Sequence, residues 1–276
     1  MLINDHFQNY KVYQIPKAQL IIADIPYNLA EKAYASNPCW YKDGDNKNGE
    51  SELAGKEFFD TDKDFRPKEF MHFCSTMLRP EPKEAQGNKD GKKRKSGAPC
   101  MIVFCEFEQQ FYLINLAKEY GLNRYINLVF RKNFSAQVLK ANMKVVGNCE
   151  YAVLLYREKL PKFNNNGKMI FNCMDWERDD ATIKKLHPTQ KPIKLLEKLI
   201  NIFTDEGDVI IDPVAGSGST LIAAGNLNRK AYGFEIKKDF FKMANAWIKE
   251  NQLEKEEIKK YGYAKSKIAS EYPILF

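Results

Sequence analysis

Short, almost wholly apolar runs recur along this chain, separated by segments whose apolar residues fall at helical spacing. Residues 19–24, QLIIAD, form an apolar run ending in an acid, the pattern of a buried parallel strand. PCMIVFC at 99–105 reads as a second buried strand, and Tyr125–Arg131 and Tyr151–Arg157 as two more. DVIID (208–212) and AYGFE (231–235) have the same character. Helical spacing appears at Phe70, Phe73, Cys74, Met77 and Leu78, and over Phe111–Tyr120, where Gly121 closes the helix. It returns at Ile193, Leu196, Leu199, Ile200 and Phe203, from about Ser219 to Leu227, and over Lys238–Glu250. Strands that alternate with helices predict an α/β protein, with a mostly parallel sheet covered by helices on both faces.

The segments between these elements differ in kind. Residues 28–66 are polar, with Gly44, Gly49 and Gly55, and predict a long loop with some local helix. RPEPKEAQGNKDGKKRKSG (79–97) is poor in apolar residues and predicts a mobile basic loop. Residues 158–186 are polar and irregular, and the charge-rich last 26 residues, ending EYPILF, predict a helix plus a docked tail. No repeat is visible, and 276 residues suit one large domain. A mean hydropathy of −0.52 and no apolar run near 18 residues exclude a membrane span. The N-terminus lacks a secretory layout, so a cytoplasmic protein is expected. A net charge of +7 admits a polyanionic partner. Six cysteines without a CxxC pair, and three histidines, give no basis for a zinc site; reduced thiols and no metal are expected.

Two turns carry candidate chemistry. Asp212-Pro213-Val214-Ala215-Gly216-Ser217-Gly218-Ser219-Thr220 follows a strand and opens a helix. Gly216 and Gly218 would let the backbone approach a ligand, or would only permit close helix packing. A P-loop would require a Lys after the last Gly, and none is present. Glu235, at the end of the next strand, is placed to accept both hydroxyls of a ribose. The second turn is Asp24-Ile25-Pro26-Tyr27, at the end of the first buried strand. Asp24 can accept from an amino group, Tyr27 can stack on a flat base, and Pro26 holds Ile25 extended. The alternative is a plain strand-exit turn.

Taken together, the pieces resemble the amino-group DNA methyltransferases of the permuted β class. That family places an Asp-Pro-Pro-Tyr catalytic motif first and its S-adenosylmethionine loop last. DIPY at 24–27 resembles the former and DPVAGSGST at 212–220 the latter, while HPTQKP at 187–192 matches the family's cofactor-side motif in full. GFEI (233–236) resembles the ribose-binding strand end, and LINDH (2–6) the strand whose acid faces the adenine. LVFRKNF (128–134) and NCEYAVLLYRE (148–158) resemble the strands lining the target-base pocket. The resemblance covers roughly residues 1–250. It departs from the pattern at Ile25 and Val214, which stand where the family has Pro and Phe, and in the short 158–186 segment.

The resemblance implies a Rossmann-like S-adenosylmethionine-dependent methyltransferase fold with a seven-stranded sheet and circularly permuted motif order. One domain would span 1–276: catalytic region 1–157, variable segment 158–186, cofactor region 187–250 and an extension 251–276. The implied reaction is methylation of adenine N6 in duplex DNA, because Asp in the first catalytic position goes mainly with adenine. The alternatives are cytosine N4 and a catalytically impaired DNA-binding modification subunit. Asp24 and the Ile25 carbonyl would hold the amino hydrogens, Pro26 would fix the turn, and Tyr27 would stack on the flipped base, with Asn133 and Phe134 nearby. Asp5, Thr189, Lys191, Asp212, Pro213, Ala215, Gly216, Ser217, Gly218 and Glu235 would surround the cofactor, while His187 orders its turn. Lys92, Lys93, Arg94 and Lys95 are candidate phosphate contacts. A homodimer, and a companion restriction or specificity protein, are compatible with the family, as is a bacterial-nucleoid or phage setting.

Overall fold

The structure is a computed structural model, and residues 1–26, 65–83, 97–133, 137–140, 145–180, 183, 186 and 190–261 are described. The chain opens with β1 (Leu2–Ile3), a 3-10 turn at Phe7–Asn9 and α1 (Tyr10–Tyr13). Then follow β2 (Leu20–Asp24), α2 (Pro67–Met77), β3 (Cys100–Cys105), α3 (Phe107–Glu119) and β4 (Arg124–Arg131). A small antiparallel pair, β5 (Gln137–Lys140) and β6 (Val145–Gly147), precedes β7 (Cys149–Tyr156) and β8 (Cys173–Asp175). The last third contributes α4 (Ile193–Phe203), β9 (Val209–Asp212), α5 (Ser219–Asn226), β10 (Lys230–Phe234) and α6 (Lys238–Tyr261).

The main sheet has the order β1-β10-β9-β2-β3-β7-β4-β8. All neighbours run parallel except β7, which is antiparallel to both β3 and β4. The alternation within each buried strand explains why both faces are covered. In β2, Leu20 and Ile22 join a core with α4, α5 and α6, while Ile21 and Ala23 join one with α2 and α3. In β3, Ile102 and Phe104 face the first core, and Met101 and Val103 the second. A strand buried on both faces has no polar side to show, which is why it reads as a continuous apolar run.

The expected fold class holds, with one strand more than expected. β8 lies in the segment read as irregular; of its three residues only Met174 is buried, too short a pattern to signal a strand. Nor did the β5–β6 pair appear in the sequence reading. Helix α3 begins earlier than the apolar spacing indicated. Glu106 and Gln109 form a capping box at its start, whereas Phe107 and Phe111 are exposed and carry no core periodicity. Gly121, at φ 79°, closes the helix as expected. Helix α6 runs on to Tyr261, and the docked tail expected after it lies outside the described residues. Among the described residues, no helix is long and apolar enough to cross a membrane.

From β9 the chain moves outward through α5 to β10, while from β2 it moves the other way to β3. The β9–β2 boundary is therefore a topological switch point, where open α/β sheets form their ligand crevice at the carboxyl ends of the strands.

Candidate active site

Acids cluster at that edge. Asp24 ends β2 and Asp212 ends β9, while Glu235 directly follows β10 and Asp5 lies two residues past β1. These four strands are neighbours in the order β1-β10-β9-β2, so residues far apart in sequence share one rim. The Asn4 amide donates to the Glu235 carbonyl (2.8 Å), and the Glu235 N–H to the Ile3 carbonyl (2.9 Å), which stitches the first two strand ends together.

Each acid has its own electrostatic setting. Asp212 is buried, with one carboxylate oxygen accepting from the Val214 N–H at 3.1 Å. Burial pushes its carboxyl up to about 7, with the Asp24 and Glu235 charges adding to the effect against the opposing Thr220 hydrogen bond. Glu235 accepts from the Lys237 N–H through Oε1 (2.8 Å) and from the Gly216 N–H through Oε2 (2.9 Å). Burial raises it above the usual carboxylate range despite these donors. Asp5 accepts from the Tyr13 hydroxyl (2.7 Å), the Asn9 amide (2.8 Å) and the His6 N–H (2.7 Å). Its carboxyl is held low, by Tyr13 first and Asn9 second.

The two loop glycines have different reasons to be glycine. Both have positive φ, 51° at Gly216 and 80° at Gly218. A Cβ on Gly218 would meet Ile248 Cδ1 at 3.0 Å and Ala244 Cβ at 3.3 Å, so this position lets α6 pack on the loop. A Cβ on Gly216 would meet nothing within 4 Å, so Gly216 keeps space beside Glu235. Pro213, Ala215 and Ser217 face inward; the Ala215 N–H bonds to the Phe234 carbonyl (2.8 Å) and the Ser217 hydroxyl to Ser219 (3.4 Å).

These residues fit S-adenosylmethionine in chemistry. The molecule presents a sulfonium, an ammonium and a ribose, and the rim offers mutually repelling carboxylates beside an open, glycine-lined space. Asp212 and Glu235 would meet the cationic and hydroxyl groups. A carboxylate has about four lone-pair sites, so the two backbone N–H bonds on Glu235 leave acceptor capacity for a diol. A phosphate would face carboxylates rather than a Lys.

At the Asp24–Pro26 turn the Ile25 N–H donates to the Phe104 carbonyl at 3.3 Å. The Pro26 carbonyl accepts from Gln109 Nε2 at 3.0 Å, which ties the turn to the capping box of α3. The Ile25 bond ties the residue after β2 to β3, so a proline at position 25 would remove a donor that the sheet uses. Ile25→Pro, which restores the family residue, is expected to destabilise the protein by about 1 kcal/mol through the lost bond and the stranded carbonyl. Equilibrium urea denaturation checks this; unchanged stability would show the bond to be unimportant.

Lys191 falls in an unexpected place. Its ammonium lies 2.8 Å from Asp24 Oδ2, buried beside the rings of Phe104 (5.2 Å) and Trp176 (6.0 Å). Close by, Lys132 pairs with Glu150 at 2.6 Å and also faces the Trp176 ring, at 4.9 Å. Sequence reasoning missed Trp176 and Gln109, which stand in no motif, and did not single out Lys132 and Glu150 within the two segments matched to the base-pocket strands. It also missed Asp179, whose carboxylate accepts from the Ile193 and Lys194 N–H groups at the start of α4. The signal was there: Pro192 at the N-cap has no side chain able to cap. Asn133 is exposed just beyond β4. Tyr27, Phe134, His187, Thr189 and Lys92, Lys93, Arg94 and Lys95 lie outside the described residues.

Residues 18–246 match the model of the N6/N4 DNA methylase family, a span that takes in both the Asp24-Ile25-Pro26-Tyr27 segment and the glycine-rich loop. This chain belongs to that DNA methylase family. Among curated relatives, it is 48% identical over 58 residues to the type II methyltransferase M2.DpnII of Streptococcus pneumoniae, covering 21% of this chain and 22% of the relative. It is 43% identical over 99 residues to M.HindIII of Haemophilus influenzae, covering 33% and 32%. Identity to the DNA adenine methyltransferase YhdJ of Escherichia coli is 36% over 94 residues, covering 33% and 32%. The matched segments thus span only about a fifth to a third of these relatives' length. In fold, the chain is similar to the M1.HpyAVI–SAM complex, with a TM-score of 0.59 and 20% identity over 90% of this chain and 98% of that one. It is also similar to the cytosine-N4-specific PvuII DNA methyltransferase, with a TM-score of 0.60 and 15% identity over 88% and 84%.

Proposed function

We propose that this protein transfers a methyl group from S-adenosylmethionine to the exocyclic N6 amino group of adenine in DNA. The observation that carries the reading is the placement of Asp24, at the end of β2, on the same rim as Asp212 and Glu235, across the switch point of the sheet. Family membership and partial identity to an adenine methyltransferase support it. The choice of adenine over cytosine rests on Asp in the first catalytic position.

When bound, the cofactor supplies an electrophilic methyl group on a sulfonium. The protein's part is to present a nitrogen to it. An adenine amino lone pair is delocalised into the ring and is a weak nucleophile. Asp24 Oδ and the Ile25 carbonyl accept the two amino hydrogens and favour a tetrahedral nitrogen with a localised lone pair. As the N–C bond forms, the methyl–sulfur bond would break with its electron pair left on sulfur, and one amino proton would leave to water by way of Asp24. Catalysis of this kind is positioning and electrostatics. The target base would leave the duplex, with Tyr27 stacking on it and Phe134 lining the opposite face. Lys92, Lys93, Arg94 and Lys95 would follow the phosphates.

Glu235→Ala is expected to weaken S-adenosylmethionine binding by about 2 kcal/mol, the scale of a charge-assisted hydrogen-bond pair. Isothermal calorimetry on the folded variant reads this directly, and unchanged affinity would remove Glu235 from the ribose site. Nucleoside analysis of DNA from cells expressing the chain tests the base assignment. N6-methyladenine is expected, and N4-methylcytosine in its place would overturn the choice of adenine.

A further inference from the structure

We propose that Lys191 is a positioning residue for the transfer step, clamping one oxygen of Asp24 so that the carboxylate presents a fixed, anionic acceptor edge to the target amino group. This rests on the reading of Asp24 given above. The geometry is asymmetric. The Lys191 side chain is 6% exposed and that of Asp24 29%, so the ammonium sits on the protein side of the pair and the carboxylate on the side nearer solvent. The contact is short, 2.8 Å to Oδ2, and the rings of Phe104 and Trp176 wall the ammonium in.

The surroundings explain why such a clamp is needed. Asp24 shares its rim with Asp212 on β9, while Cys105 on β3 and Glu150 on β7 face the pair; Glu106 lies behind them, within reach of Cys105 and Glu150, and Lys132 pairs with Glu150. Among the described residues Asp212 has no ion-pair partner, and burial takes it to about 7. A carboxyl at Asp24 that followed the same course would spend part of its time protonated at neutral pH. It would then offer a hydroxyl to an amino group that needs an acceptor. Lys191 itself stays charged: burial pulls it down, but the Asp24 and Glu150 charges outweigh that and raise it. An ammonium on one oxygen also fixes the plane of the carboxylate, and therefore the direction of its other lone pairs.

The test compares wild type, Lys191→Met and Lys191→Arg, with circular dichroism to confirm folding. The readouts are the pH profile of kcat at saturating cofactor and DNA, cofactor affinity by calorimetry, and the titration of ¹³C-labelled aspartate carboxyls by NMR without substrate. Removing a close opposite charge raises a carboxyl by about 1–3 pH units. Lys191→Met should therefore lose about tenfold or more in kcat at pH 6 and regain much of it towards pH 8.5. Its Asp24 resonance should titrate higher than in wild type. Its cofactor affinity should be unchanged or stronger, since a cation has been removed from a site for a cationic ligand. Lys191→Arg should keep the acid limb of the profile at its wild-type position, and carries the test alone if Lys191→Met does not fold. An unshifted Asp24 titration in Lys191→Met, a shifted limb in Lys191→Arg, or a defect expressed wholly as weaker cofactor binding would overturn the proposal. Wild-type protein that transfers no methyl group to DNA would overturn the functional reading instead, and the NMR titration would still decide the role of Lys191.

Discussion

Asp24→Ala is expected to lower methyl transfer by about 10³-fold while the protein stays folded. Removing one preorganised group aimed at a transition state commonly costs about 10²–10³. Asp24 should fall at the upper end because its carboxylate is charged and partly buried, and because its loss leaves the Lys191 ammonium buried without its closest anion. The same loss predicts reduced stability, which thermal unfolding will register. Cofactor affinity should change far less than turnover, since Asp24 acts on the amino group. Steady-state kinetics with a synthetic duplex separates the two. Turnover within a few fold of wild type would mean that another acid holds the target amino group.

Cofactor binding is expected to strengthen about tenfold per pH unit as the pH rises towards 7. Asp212 carries the prediction. Its folded carboxyl, at about 7, lies well above the 3.8 of the exposed group. The cofactor-free native protein thus binds a proton that the unfolded chain does not hold between these values. Its contribution to stability is therefore greatest at low pH and is lost as pH rises from about 4 to about 7, on the order of 4 kcal/mol in all. A cationic ligand selects the carboxylate, so binding below pH 7 must expel that proton. Calorimetry in buffers of different ionisation enthalpy should show close to one proton released per cofactor at pH 6, and about none in Asp212→Asn. Binding at pH 6 without proton release would mean that Asp212 is already ionised or remote from the cofactor's charge. The raised Glu235 contributes in the same sense, which makes Asp212→Asn the necessary control.

Much of this was legible in the sequence, and the reason is physical. Strands such as β2 and β3 are buried on both faces, so QLIIAD and PCMIVFC announce themselves without their neighbours. Helix α4 buries Leu195, Leu196, Leu199 and Ile200 on one face and was equally plain. The strand-end acids Asp24, Asp212 and Glu235 could be placed because strand ends in such sheets mark the crevice. β8 was not legible, because three residues with one buried side chain give no period. Neither was the difference between the two glycines, since what Gly218 meets is Ile248, thirty residues on. The Lys191–Asp24 pair lay beyond local pattern for the same reason: the two residues belong to separate motifs, and only the sheet order brings them within 2.8 Å.

Transfer of label from methyl-labelled S-adenosylmethionine to duplex DNA by the purified chain, with Asp24→Ala alongside, tests the central claim most directly. The account predicts acid-stable counts in DNA that migrate as N6-methyladenine after digestion, and their near disappearance in the variant. Absence of label from DNA with wild-type protein, or equal labelling by both proteins, would contradict it.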